Sequence, residues 1–81
     1  MSNFEKEAID DIRALAKGYG RGHGGLKLSV VSLRMYGSSP VLEEILAGKK
    51  SISFDKAQRM VDGFKADWPG SQPWPQLKRL F

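Results

Sequence analysis

Few side chains in this 81-residue chain can do chemistry, and their types already exclude most of it. There is no cysteine and a single histidine, His23, so disulfides and thiolate or histidine-rich metal sites have no ligands. Acids occur as adjacent pairs, Asp10-Asp11 and Glu43-Glu44. General acid-base work requires such groups to converge with a nucleophile and oxyanion donors on an apolar pocket. Each pair instead falls on the polar side of an expected helix, where carboxylates are solvated, and His23 reads as an exposed loop residue. No catalytic residue, metal ligand or cofactor site is therefore expected, and the chain reads as a non-enzyme. Gly20, Gly22 and Gly25 satisfy G-x-G-x-x-G literally, but the dinucleotide fingerprint needs a preceding strand inside a βαβ unit. Here a helix precedes it.

Charge is the more informative chemistry. Thirteen Lys and Arg against nine Asp and Glu give a net charge of +4 and a pI near 9.6, which suits an acidic partner. Residues 16–36 carry Lys17, Arg21, Lys27 and Arg34 with no acid, and Lys49, Lys50, Lys78 and Arg79 add further cations. Such a stretch is either a solvated surface or a phosphate-facing stripe. Arg21, Lys27, Arg34, Lys49 and Lys50 are the candidates for phosphate contact.

The elements that position these residues follow from apolar spacing. Ser2 and Glu5 have the spacing of a capping box. Phe4, Ala8, Ile12 and Leu15, widened by Ile9 and Ala16, recur with helical period and predict a first helix over about 3–17. Asp10 and Asp11 are assigned to its polar side. Five glycines among residues 18–25 predict a flexible connection that ends this helix. Leu28, Val31 and Met35 then share a face, with Ser32 a small residue permitting close approach. Gly37-Ser38-Ser39-Pro40 breaks that helix; Ser39 is expected as the next N-cap and Pro40 at the first helical position. A short helix over 40–47 turns Leu42, Ile45 and Leu46 inward, and Gly48 closes it. Ser53 is expected to cap a helix ending near Ala66, with Phe54, Ala57, Met60, Val61 and Phe64 on its apolar face. The proline-rich tail from Asp67 holds Trp68 and Trp74, which are expected to fold over the core or join a dimer contact. Gln76 to Phe81 allow a short helical turn with Lys78 and Arg79 exposed.

Two short helices joined by a tight turn and packed by flanking helices suggest a helix-turn-helix unit over residues 25–64. The residues there resemble the phage repressor and Cro-like (XRE-type) family of DNA-binding proteins. Gly25-Leu26 looks like the family's entry to the first helix, and Val31, Ser32 and Met35 match its apolar–small–apolar pattern. Leu42 and Ile45 match the inward pair of the second helix. Gly48-Lys49-Lys50 followed by Ser53-Phe54 resembles the stretch leading to the next helix. The chain departs from the pattern at Tyr36, where the family has glycine, and at Leu28, where it often has a phosphate-holding glutamine. The resemblance covers about half of the chain. It implies one all-α, lambda-repressor-like domain of four to five helices, with core 3–66 and a Trp/Pro-rich tail 67–81.

The resemblance also implies a sequence-specific transcriptional regulator of phage or mobile-element type. It would be a homodimer on double-stranded DNA, with the 40–47 helix in the major groove. Ser38, Ser39, Pro40, Glu43 and Glu44 would then lie nearest the base edges. Adjacent acids on such a helix also motivate an alternative, a protein-binding adaptor or antiactivator that docks a basic partner on Glu43 and Glu44 and no longer reads DNA. No apolar run approaches a membrane span and the N-terminus lacks a basic-then-apolar leader, so no membrane partner and a cytoplasmic location are expected.

Overall fold

A computed structural model describes residues 3–80; the expected contribution of Ser2 to a capping box, and the place of Phe81, lie outside the described residues. Among the described residues there are four helices and no strand: α1 (Asn3–Gly22), α2 (Leu28–Tyr36), α3 (Val41–Leu46) and α4 (Phe54–Ala66). Helix α1 follows its apolar spacing, burying Ala8, Ile12, Leu15 and Tyr19 on one face. Ala57, Met60, Val61 and Phe64 of α4 pack into the same core, and Val31, Leu42 and Ile45 close it from α2 and α3. Phe54 departs from its expected inward place: it is 43% exposed, with its ring against that of Phe4 at 5.8 Å between centroids.

The largest correction concerns the glycine stretch. Helix α1 runs on through Gly18 and Gly20 to Gly22, so Arg21 lies on its last turn rather than in a flexible loop. Glycine inside a helix costs about 1 kcal/mol relative to alanine, and local propensity alone would stop the helix at Lys17. Tertiary packing overrides it. The indole of Trp68 lies against Gly18, the carbonyl of Leu26 against Gly20 and the ring of Pro69 against Gly22; a Cβ would overlap the Pro69 ring at Gly22 and press on its neighbour at Gly18 and Gly20. The helix then ends in a Schellman arrangement, with Gly25 N–H donating to Gly20 O at 2.8 Å and Gly24 N–H to Arg21 O at 3.4 Å.

Those contacts show where the tail goes. Trp68 Nε1–H donates to Gln72 O at 2.9 Å, and Trp74 meets Trp68 edge-on at 4.9 Å between centroids. Residues 76–80 are not helical. They are fixed by Asp11, which corrects its expected place on the polar side of α1. Asp11 is 2% exposed. Its carboxylate accepts the backbone N–H groups of Lys78 at 2.7 Å, Arg79 at 2.8 Å and Leu80 at 2.9 Å. A buried carboxylate is tolerated where hydrogen bonds replace its lost hydration. With Leu80 thereby drawn into the core, the tail folds back within one chain. Lys78 and Arg79 stay exposed as expected, pairing with Asp10 at 3.3 Å and Glu7 at 3.4 Å.

Candidate functional site

The α2–α3 unit is built from a very short second helix. Six residues, Val41–Leu46, make less than two turns, too few to persist without tertiary support. Support comes at both ends from other elements. At the N-terminal end Ser32 of α2 is fully buried; its hydroxyl accepts from Leu42 N–H at 3.0 Å and donates to Ser38 O at 2.6 Å. This replaces the expected cap. Ser39 makes no side-chain capping bond and the helix begins after Pro40, which occupies the N-cap position. At the other end the Arg13 guanidinium donates to Leu46 O at 3.1 Å, a cation on a carbonyl that the helix itself leaves unsatisfied. Gly48 closes α3 as expected: Gly48 N–H bonds Ile45 O at 3.1 Å and Lys49 N–H bonds Glu44 O at 2.9 Å. The turn into α3 starts at Gly37, whose φ of 71° is left-handed, a backbone state that side-chain-bearing residues rarely adopt.

Of the candidate base-facing residues, Ser39, Pro40 and Glu43 are exposed, while Ser38 and Glu44 are half-buried. Ser38 is further tied down through its carbonyl. The candidate phosphate residues Arg21, Lys27, Arg34, Lys49 and Lys50 are all exposed. Arg34 is turned partly toward α1, its guanidinium donating to Tyr19 OH at 3.5 Å.

Two grooves flank α3. One, of about 680 Å³, lies on the α1 side, with Glu43 and Leu46 of α3 facing Arg13, Lys17 and Arg21. The other, of about 430 Å³, lies on the α4 side, where Val41 and Ile45 of α3 face Lys50, Lys56 and Arg59. Arg13, Lys17 and Arg21 stand four residues apart, so the continuous helix places them in one row. Sequence reasoning missed Arg13 and Lys17 as members of this row because it ended the helix before Gly18. It missed Lys56 and Arg59 because α4 was read for its apolar face alone.

The acids are used elsewhere. Asp10 pairs with Arg13 at 3.2 Å as well as Lys78. Asp67 accepts from Tyr19 OH at 2.6 Å. His23, expected to be exposed, is half-buried: it stacks on Tyr19 at 4.3 Å and reaches the Asp67 carbonyl at 3.2 Å. Lys17, Arg21, Lys27, Lys49, Lys50, Lys56 and Arg59 make no ion pair with any described residue. Around α3, Arg13 is paired with Asp10 and Glu43 faces the α1-side groove, while the α4-side groove has no acid in its lining.

Two tyrosines are electrostatically unusual. Burial, and then the hydrogen bond to Asp67, pushes the Tyr19 hydroxyl above its ordinary value. Burial alone pushes Tyr36 well up, and its hydroxyl is buried without a hydrogen-bond partner among the described residues. Leaving such a donor unmade costs about 1–3 kcal/mol. No helix among the described residues is long and apolar enough to cross a membrane. Comparison of the chain with family models, with curated proteins and with solved structures finds no match.

Proposed function

We propose that residues 25–64 act as a helix-turn-helix unit of the lambda-repressor type, and that the protein is a sequence-specific DNA-binding regulator of phage or mobile-element kind. One observation carries the reading: α3, held at both ends, lies between two grooves that each carry three cations, Arg13, Lys17 and Arg21 on one side and Lys50, Lys56 and Arg59 on the other. A helix in the major groove meets just such surroundings, since a phosphate strand borders the groove on either side. The acids of α3 then face base edges rather than phosphates. Glu43 accepts from a cytosine amino group, and Ser39 bonds either partner of a pair. The flanking cations set register without reading sequence. Two copies on one duplex would place half-sites about 34 Å apart, one helical turn.

The alternative, a basic protein partner docked on Glu43 and Glu44, draws on the exposure of Glu43. It is disfavoured by the half-burial of Glu44 and by the cations on both flanks, which repel a basic partner.

Binding to random and selected duplex DNA across a salt series tests the proposal. Affinity should fall steeply with salt, with a logarithmic slope of about −0.9 per phosphate neutralised. Lys17→Ala or Lys56→Ala should reduce that slope by about one and weaken all sequences alike, whereas Glu43→Gln should change the preferred sequence. Absence of duplex binding at low salt overturns the proposal in favour of a protein partner.

A further inference from the structure

We propose that the groove between the end of α2, α3, the 50–52 link and the first half of α4 is a binding site for a small apolar anion, an aromatic or aliphatic carboxylate or sulfonate. At about 430 Å³ it lies within the range of small-molecule sites. Its walls include Met35, Val41, Ile45, Ile52 and Met60, and its charged lining residues are Lys50, Lys56 and Arg59, with no acid among them. None of the three cations is ion-paired to a described residue.

A second, independent observation points to the same chemistry. Tyr36 lines this groove, and its hydroxyl is buried with no partner among the described residues. Burial keeps it protonated, so it is a donor in want of an acceptor. The hydroxyl is closed to water in this structure, so an acceptor reaches it only where a ligand's body parts the groove walls. A carboxylate or sulfonate carried on an apolar body does this; a hydrated inorganic ion does not.

Other occupants fit less well. A second copy of this chain brings the same three cations against themselves. A DNA phosphate meets the cations at the rim, as the proposed function requires, but leaves the apolar walls below them uncovered. A neutral apolar molecule leaves both the cations and the hydroxyl unanswered. Two methionines on the walls let the site adjust to the ligand's outline, because the thioether chain is unbranched and flexible. The site shares Lys50, Lys56 and Arg59 with the DNA-binding proposal, so it is tested without DNA, where sulfonate binding succeeds or fails independently of duplex binding.

The probes are 1-anilinonaphthalene-8-sulfonate and its uncharged parent ring system, N-phenyl-1-naphthylamine, titrated into the full chain at low salt and followed by fluorescence. We expect saturable 1:1 binding of the sulfonate. The double substitution Lys56→Gln and Arg59→Gln should weaken it by about tenfold or more, with little change for the neutral probe. Tyr36→Phe should weaken the sulfonate by about threefold to tenfold. Lys6→Gln with Lys78→Gln removes the same charge elsewhere and should leave sulfonate affinity unchanged. All substituted cations are exposed, and thermal melts establish that each variant remains folded. Failure of the folded protein to bind the sulfonate saturably overturns the proposal. So does wild-type affinity in both the Lys56/Arg59 and the Tyr36 variants, or an equal loss in the Lys6/Lys78 control.

Discussion

Asp11 and Tyr36 represent opposite outcomes for a polar group taken out of water. The Asp11 carboxylate is buried and receives three backbone N–H bonds from residues 78–80. Asp11→Asn keeps the size but turns one acceptor oxygen into a donor aimed at other donors. It should cost about 2–3 kcal/mol. The denaturant midpoint should fall with unchanged slope, and the amides of residues 78–80 should lose hydrogen-exchange protection; retained protection would remove Asp11 from this role. The Tyr36 hydroxyl is buried and without a partner among the described residues, so Tyr36→Phe should raise stability by about 1 kcal/mol. The same tyrosine sets a pH response. Its folded-state value is raised above the ordinary 10.0 by burial, so its contribution is fully present below that pH and is lost as pH rises through the folded value. Tyr19 acts in the same sense, through burial and its bond to Asp67. Stability should therefore decline above about pH 10, and less steeply in Tyr36→Phe. Melting curves from pH 8 to 11.5 check this, and parallel curves for the two proteins would refute it.

At the scale of elements, α1 sets propensity against packing. A Cβ at Gly22 would overlap the Pro69 ring and stand 2.8 Å from Gln72 Cγ. Gly22→Ala gains about 1 kcal/mol of helix propensity but should lose about 1–3 kcal/mol to overpacking, for a net fall in melting temperature. Gly63, inside α4, supplies the contrast. A Cβ there meets only the Met35 sulfur, at 3.4 Å, so Gly63→Ala should stabilise the protein by about 0.5–1 kcal/mol. If both variants shift the melt in one direction, the tail does not press on α1 as described. The same contrast explains which elements were legible in the sequence. Helices α2, α3 and α4 are written locally, in apolar spacing and in Gly37, Gly48 and Ser53, and the end of α4 at Ala66 falls where that spacing puts it. The end of α1 and the burial of Asp11 are not local facts. They depend on Trp68, Pro69 and residues 78–80, and the Asp11–Lys78 bond spans 67 positions. The candidate site divides in the same way. Lys27, Lys49, Lys50 and Glu43 were visible as charges beside a short helix. The Arg13–Lys17–Arg21 row emerges only once α1 is known to continue, and the role of Ser32 depends on how α2 and α3 dock.

At the scale of the whole molecule, the tail is part of the fold. The radius of gyration, 11.6 Å, matches the roughly 12 Å expected for a compact chain of this length, which leaves no room for an extended C-terminal segment. Asp67 holds Tyr19, Trp68 and Pro69 cover the glycine face of α1, and Leu80 completes the core. A domain of this size has a total stability on the order of 4–12 kcal/mol. Burial of Leu80 and Trp68 contributes about 2 kcal/mol each, and the Asp11 bonds add about 2–3 kcal/mol. Together these rival the whole. Truncation after Ala66 should therefore leave a chain that is largely unfolded at 25 °C, and duplex binding under the proposed function should disappear along with its helical signal. Far-UV circular dichroism of the truncated and full chains, each at two concentrations tenfold apart, checks the prediction. An intramolecular strap predicts a melting temperature of the full chain that does not move with concentration. A tail that acted as a dimer seam would make it rise. An unchanged melt on truncation would show that the four helices stand without the tail, and the extension of α1 through its glycines would then need another cause.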